Sequence, residues 1–449
     1  MGAQGGESMV AIEVAAELLV AVLILGVLAM VIGRKLNISY VPLFILLGIL
    51  IGPLFELIPR SFSHELFEYL RVFGLVIILF TEGHNLSWRL LKRNSTTILL
   101  LDTVGVLLTA LLAGWFFSWL FDAPFLVGFL FGAIISATDP ATLIPLFRQY
   151  RVEQDIETTI VTESIFNDPL GIVLTTVAIA MLYPDAVSQV FAFFSGHVGI
   201  YGASILYFLY ELLASILVGV AMGFFGYWFI KKAEIFEFPE IEIFALGLAF
   251  LTFLIGEKLD ASGYLAATVA GLVLGNFKVL GRFRSLAVME NVLKAVSLEV
   301  DFNESLSAIA TLFIFFLLGA SLDLGIFTGN LVKGLLVAYF IMLVARPIAA
   351  LPILKRWGFR RYLFISLEGP RGIVPSALAS LPLALATKYG DGTLTVHWGE
   401  VILAVTVITV FASIVTETLW LPVLKRVLLE TETVEDRIRK MQARKARKS

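Results

Sequence analysis

Residues 136–140 of the chain read Ser136-Ala137-Thr138-Asp139-Pro140, and they interrupt an apolar run that extends from about residue 124 to residue 147. A second apolar run, at residues 361–387, is interrupted in the same way by Glu368-Gly369-Pro370-Arg371-Gly372. Proline removes a backbone donor and clashes with the preceding turn, so each stretch frees backbone groups inside a helix. Such backbone survives within a membrane only where it is buried in protein or lines a cavity. The two stretches predict two broken helices. The alternative is that each proline only kinks a continuous helix.

The composition is that of an integral membrane protein. Of the 449 residues, 59% are hydrophobic and 15% are charged, whereas about 25% are charged in a typical soluble domain. Such a chain cannot cover its surface with polar groups in water. The sequence contains no cysteine, which excludes disulfides, thiolate metal sites, iron–sulfur clusters and cysteine nucleophiles.

Thirteen apolar segments approach the length of about 20 residues that a spanning helix needs. They cover residues 10–32, 41–58, 67–85, 97–120, 124–147, 156–182, 202–230, 240–257, 262–277, 304–322, 330–353, 361–387 and 398–424. If the N-terminus lies outside the cell, the loops and tail on the cytoplasmic side carry 26 of the 33 lysines and arginines. The positive-inside rule therefore predicts about 13 transmembrane helices in the cell membrane, with an external N-terminus and a cytoplasmic C-terminus.

The two broken helices lie seven segments apart, in the fifth and the twelfth segment, so they run in opposite directions through the membrane. Segments 2–6 and 9–13 can then form an inverted repeat of five helices, in which the broken helices cross at mid-membrane. Interrupted helices in corresponding positions of two halves indicate the binding site of a secondary transporter. The predicted fold is an all-α polytopic membrane protein, with one transmembrane domain over residues 1–449.

The sixth segment carries Glu163, Ser164, Asn167 and Asp168 within six residues. Helical spacing of four places Ser164 below Asp168 and Glu163 below Asn167, on adjoining stripes of one face. Oxygen ligands without histidine or cysteine suit a hard, weakly bound cation. A polar contact between helices is the alternative for the serine and the asparagine. It does not explain two acids in a spanning segment, which by default mark an ion or proton path.

The acids predicted to lie inside the membrane outnumber the bases. The predicted acids are Asp139, Glu163, Asp168 and Glu82, and the predicted bases are only Arg346 and Arg371. We expect Arg346 to neutralise one acid permanently, most plausibly Glu163. At least one carboxylate then lacks a fixed partner, and an unpaired buried charge is strongly unfavourable. It must take a proton or a mobile cation, which is the physical requirement of an exchanger.

These motifs resemble those of the NhaP-type sodium/proton antiporters of the cation/proton antiporter superfamily. The resemblance rests on Thr138-Asp139-Pro140, on the polar stretch of segment six and on the arginines of segments eleven and twelve, and it covers the chain from Met9 to about Arg426. It implies a homodimer in the lipid membrane. It also implies an ion-carrying bundle of residues 97–182 and 330–427 and a dimerisation scaffold of residues 1–96 and 183–329, followed by a cytoplasmic tail at 428–449.

The resemblance also implies a role for each motif residue. Asp168 would carry the cation and the proton, and Na⁺ would be bound by Asp168, Ser164, the Thr138 carbonyl and Glu82. Asp139 would act close to the cation. The supporting network would consist of Glu163, Asn167, Arg346 and Arg371, the last by satisfying freed carbonyls in segment twelve. The alternative for Glu82, which lies where segment three meets a loop, is a solvated acid at a helix end.

Several other classes of function find no support in the sequence. There is no phosphate-binding G-x-x-x-x-G-K-[ST] and no H-E-x-x-H motif, so neither a nucleotide-driven pump nor an intramembrane zinc enzyme is indicated. We expect no enzyme activity, cofactor, nucleotide or nucleic-acid partner, with Na⁺ and H⁺ as transported substrates. Because Asn167 is neutral and Glu163 is held by Arg346, only the carboxylate of Asp168 changes its partner in each cycle. We therefore expect electroneutral, one-for-one exchange of Na⁺ or Li⁺ for a proton. A potassium/proton antiporter and, less favoured, a cation channel are the alternatives.

Overall fold

The computed structural model describes residues 2–36, 38–140, 143–184, 188–233, 239–276, 286–390 and 392–430. Within these ranges every regular element is helical, which confirms the predicted all-α class. The predicted tail lies outside the described residues from position 431 onward.

The helices follow one another with short connections. In chain order they are α1 (Gly2–Leu36), α2 (Val41–Leu54), α3 (Arg60–Asn85), α4 (88–121), α5 (Phe125–Ser136), α6 (Ile144–Gln149), α7 (Gln154–Leu182), α8 (Gln189–Ala233), α9 (Glu240–Lys258), α10 (Gly263–Gly275), α11 (Leu286–Ala320), α12 (Leu324–Gly329), α13 (Leu331–Leu367), α14 (Ile373–Tyr389) and α15 (Val396–Leu429). Seven helices of the described chain are long and apolar enough to cross a membrane, and four shorter apolar helices accompany them.

All thirteen predicted segments fall on helices or on pairs of half-helices. Two glycines with positive φ explain where the helices differ from the predicted segments. Gly199 (φ 74°) separates residues 189–198 from the predicted seventh segment, and Gly358 (φ 72°) separates the predicted eleventh segment from the twelfth. Glycine adopts this conformation without the steric cost that a Cβ atom imposes. The number of helices that cross the membrane and the inverted repeat remain predictions.

The structure contains both predicted helix breaks. Helix α5 ends at Ser136, and Ala137 continues as extended chain, while α13 ends at Leu367 before the non-helical Glu368. The two interruptions contact each other, because the amide of Asp139 donates a hydrogen bond of 2.7 Å to the carbonyl of Pro370. The broken helices therefore cross at their interruptions.

Close packing of α3 against α10 positions the end of α3. A Cβ atom at Gly83 would lie 2.1 Å from the carbonyl oxygen of Thr268, and one at Gly271 would lie 2.2 Å from that of Phe80. Small residues of this kind let helix backbones approach closely in membrane proteins. The contact fixes the backbone beside Glu82 against α10.

Candidate ion-binding site

The polar face of α7 is buried inside the protein. Glu163, Ser164, Asn167 and Asp168 are each at most 4% exposed, although they lie in the middle of a 29-residue helix. Pro169 follows directly, and it cannot donate the hydrogen bond that would otherwise reach the carbonyl of Ile165. The structure thus gathers carboxylate, hydroxyl, amide and carbonyl oxygens on one side of α7.

Asn167 attaches this face to the first helix break. Its Oδ1 accepts a hydrogen bond of 3.0 Å from the amide of Thr138, and its Nδ2 donates one of 2.7 Å to the hydroxyl oxygen of Thr138. An amide side chain can both donate and accept, whereas a carboxylate can only accept. The neutral Asn167 therefore matches both groups that Thr138 presents.

Arg371 supports the same break from the opposite broken helix. Its Nη1 donates to the carbonyls of Ser136 and Ala137, at 2.8 and 3.1 Å. A cation at a helix C-terminus is favoured by the negative end of the helix dipole. The sequence prediction was wrong in placing these carbonyls in segment twelve, because the side chain reaches across to segment five.

Glu163 and Arg346 form the ion pair that the charge count predicts. The Arg346 Nη2 atom lies 2.5 Å from Glu163 Oε1, and the two side chains are 4% and 0% exposed. Asp102, in a five-residue π-helical turn of α4, is also buried and interacts electrostatically with both members of the pair. Sequence reasoning missed Asp102, although an acid inside an apolar segment is itself a signal.

The structure also gives Glu417, an acid inside the last apolar segment, a specific partner. Its Oε2 accepts a hydrogen bond of 2.8 Å from the amide of Gly369, at the second helix break. Glu368 is fully buried beside it. A carboxylate on α15 thus satisfies one backbone amide that the interruption exposes.

Asp168 lies where α7, α3 and the two breaks meet. It is 2% exposed, and its Oδ1 has no hydrogen-bond partner among the described residues. Glu82 and Asp139 both lie close enough to interact electrostatically with its carboxylate. Glu82 is half-buried, and its buried Oε2 also lacks a described partner, so its role at the site stays a prediction.

Asp139 has a fixed position in this arrangement. Its Oδ2 accepts a hydrogen bond of 3.2 Å from the amide of Ile373, the first residue of α14. Helix N-termini favour negative charge through their free amides and the helix dipole. No group of three or more acidic or histidine side chains in the described chain is arranged to hold a metal ion. A cation at Asp168 would therefore need neutral oxygens such as those of Ser164 and Thr138.

Known proteins resemble this chain over most of its length. The profile of the family described as "Sodium/hydrogen exchanger, transmembrane" matches residues 19–425. The Na⁺/H⁺ antiporter 1 of Methanocaldococcus jannaschii is 34% identical over 91% of this chain and 94% of its own. The K⁺/H⁺ antiporter NhaP2 of Shewanella oneidensis is 28% identical over 69% of this chain and 50% of its own.

A solved structure shows the same fold. The sodium proton antiporter MjNhaP1 from Methanocaldococcus jannaschii, at pH 8, superposes with a TM-score of 0.80 and 32% identity, covering 93% of this chain and 99% of that one. The profile match spans most of the chain, and the structural match extends to nearly all of it. This chain belongs to the transmembrane sodium/hydrogen exchanger family.

Proposed function

We propose that this protein is a sodium/proton antiporter of the cell membrane, and that Asp168 carries Na⁺ or Li⁺ in one direction and a proton in the other. The observation that supports this most is the unpartnered Oδ1 of Asp168, buried at the crossing of the helix breaks. Glu163 is neutralised by Arg346, and Asp139 is held by the amide of Ile373. A buried carboxylate without such a partner is stable only when it binds a proton or a cation.

The proposed cation site combines residues from two parts of the protein. Asp168, Ser164 and the Thr138 carbonyl belong to the bundle of residues 97–182 and 330–427, and Glu82 belongs to the scaffold of residues 1–96 and 183–329. Carboxylate, hydroxyl and carbonyl oxygens suit a hard alkali cation. The empty, ionised site is costly to bury, whereas either loaded state is neutral at Asp168. We infer that the loaded bundle moves against the scaffold, which alternately exposes Asp168 to the two sides of the membrane, and that the scaffold holds a homodimer together.

The direct test is exchange in proteoliposomes that contain a pH dye, with sodium added outside. Asp168→Asn keeps the shape of the side chain but removes the group that can alternate between proton and cation, so we expect exchange to fall to the background of protein-free liposomes. Asp155→Asn makes the same chemical change in the exposed first turn of α7 and should retain native rates. Near-native sodium/proton exchange in Asp168→Asn would remove Asp168 as the carrier.

Oxygen ligands alone do not select sodium over potassium, and one relative is a K⁺/H⁺ antiporter. The same liposomes separate the two activities when Li⁺, Na⁺ and K⁺ are added in turn. A dye response to K⁺ alone would identify a potassium/proton antiporter. Unitary currents in planar bilayers, or flux that does not saturate with cation concentration, would identify a channel instead.

A further inference from the structure

A second polar region lies on the same face of α7 as Asp168. Thr175 follows Asp168 by seven residues, which is about two helical turns, or roughly 10 Å along the axis. Thr175 and Thr176 line a cavity of about 290 Å³ together with α3, α8, α9 and α14. Helix α14 contributes Leu378 and Leu381 and ends near Lys388. The cavity is therefore displaced from Asp168 toward the membrane face that carries Lys388, and we call it the Lys388-side cavity.

Acidic side chains dominate the charge of this cavity. Its lining includes Glu211, Glu257 and Asp260, and Arg71 is the single basic residue among the described residues that line it. The guanidinium of Arg71 is already paired with Glu68, at 2.6 Å. The acids that line the described part of the cavity therefore outnumber the bases that could pair with them.

The three acids differ in how their oxygens are used. Glu257 Oε1 accepts a hydrogen bond of 3.0 Å from the amide of Gly263. Asp260 Oδ2 accepts from the amides of Gln189 and Val190, at 3.0 and 3.2 Å, and so holds the start of α8. Glu211 is 2% exposed, and its Oε2 has no described partner. Glu211 is thus the acid that lines the cavity and retains a buried oxygen without a described partner.

Two threonine hydroxyls of α7 line the same cavity as Glu211. Thr176, on α7, lies within hydrogen-bonding reach of the Glu211 carboxylate on α8. The Thr175 hydroxyl donates to the carbonyl of Gly171, at 2.8 Å, which leaves its oxygen lone pairs available. The Thr176 hydroxyl has two acceptors within reach, the carbonyl of Ile172 at 3.1 Å and the Glu211 carboxylate. The volume accommodates several waters, at about 30 Å³ each in the liquid. These features fit a partly hydrated monovalent cation better than a tightly chelated divalent one.

We propose that the Lys388-side cavity is a second cation site, in which Glu211 holds a hydrated alkali cation between Asp168 and the membrane face of Lys388. The proposal rests on the proposed function, since it concerns the path to Asp168. The two walls of the site belong to the scaffold, through Glu211, and to the bundle, through Thr176. When Asp168 is open to the Lys388 face, a cation held in this cavity is close to Asp168 and can load it. When Asp168 is open to the opposite face, loading does not involve this cavity.

The test measures the KM for sodium separately from each membrane face. The chain has no cysteine, so Lys388→Cys and a membrane-impermeant thiol reagent report the orientation of the protein in liposomes. In Glu211→Gln we expect the KM for sodium added at the Lys388 face to rise about three- to fifteenfold, as for the loss of one charge about 10 Å from the carrier at an effective dielectric constant of roughly 20–50. The KM from the opposite face should stay within about twofold, and Glu211→Asp should keep both values.

Glu242→Gln is the matched control, because Glu242 is equally buried on α9 and also has an unpartnered Oε2, but does not line the cavity. It should leave both KM values unchanged. If Glu211→Gln does not fold, Thr176→Val should show the same one-sided rise. Equal changes from both faces, or no change at the Lys388 face, would overturn the second site. Absence of sodium/proton exchange in the unmodified protein would instead refute the proposed function.

Discussion

Replacing Arg346 by methionine should destabilise the protein strongly, because the change leaves Glu163 buried without its cation. Methionine preserves much of the side-chain volume, which limits the loss of packing that truncation of a long side chain would cause. Breaking a buried ion pair by removing one partner costs about 3–5 kcal/mol. The Arg346–Glu163 pair meets that condition, since its charged atoms are 2.5 Å apart and its side chains are 4% and 0% exposed.

The second replacement, Glu163→Gln, should recover part of this loss. The double variant no longer buries an uncompensated glutamate, so we expect a coupling energy of about 1–3 kcal/mol between the two positions. Recovery should be incomplete because Asp102 also interacts with Arg346, and the double variant still removes that positive charge from beside Asp102. Adding Asp102→Asn to the double variant should therefore raise the stability further.

The assay is equilibrium unfolding by SDS in mixed micelles, followed by the loss of helical circular dichroism. Arg361 and Glu153 provide a control cycle between the same two parts of the fold, α13 and the start of α7. Their charged atoms are 2.8 Å apart, but the side chains are 50% and 44% exposed, so the coupling should stay below about 1 kcal/mol. Additive losses for Arg346→Met and Glu163→Gln, or equal coupling in both cycles, would refute the reasoning.

Three further predictions concern the carrier and its support. Sodium and protons should compete, so the KM for sodium should rise as the pH falls through the active range, and a pH-independent KM would contradict a shared site. Exchange should be electroneutral, so potassium-diffusion potentials of either polarity, set with valinomycin on sodium-loaded liposomes, should not change its rate; acceleration by one polarity would show unequal stoichiometry. Asn167→Leu should lower the free energy of unfolding by about 1–3 kcal/mol, because the buried amide of Thr138 loses its acceptor, and unchanged SDS unfolding would show that the contact is dispensable.

Much of the site could be predicted because its signals are local. The prolines at positions 140 and 370 mark the breaks, and the spacing from Glu163 to Asp168 identifies one polar helix face. The count of buried charges also led to the Arg346–Glu163 pair. Asp102 was missed because the apolar residues around it hide a single acid near the start of a segment. The hydrogen bond of Glu417 to Gly369 spans 48 positions, so no local signal in the sequence indicates it.

Local features of the sequence were enough to predict the membrane class, the helical fold, the two interruptions and the family, because hydropathy, helical period and the missing amide of proline act within a few residues of the chain. Which distant groups satisfy the interrupted backbone became visible only once the helices were packed together. Arg371 reaches the carbonyls of Ser136 and Ala137, and Glu417 accepts a hydrogen bond from the amide of Gly369. A buried polar group must find a partner, but helix packing decides which partner lies within reach.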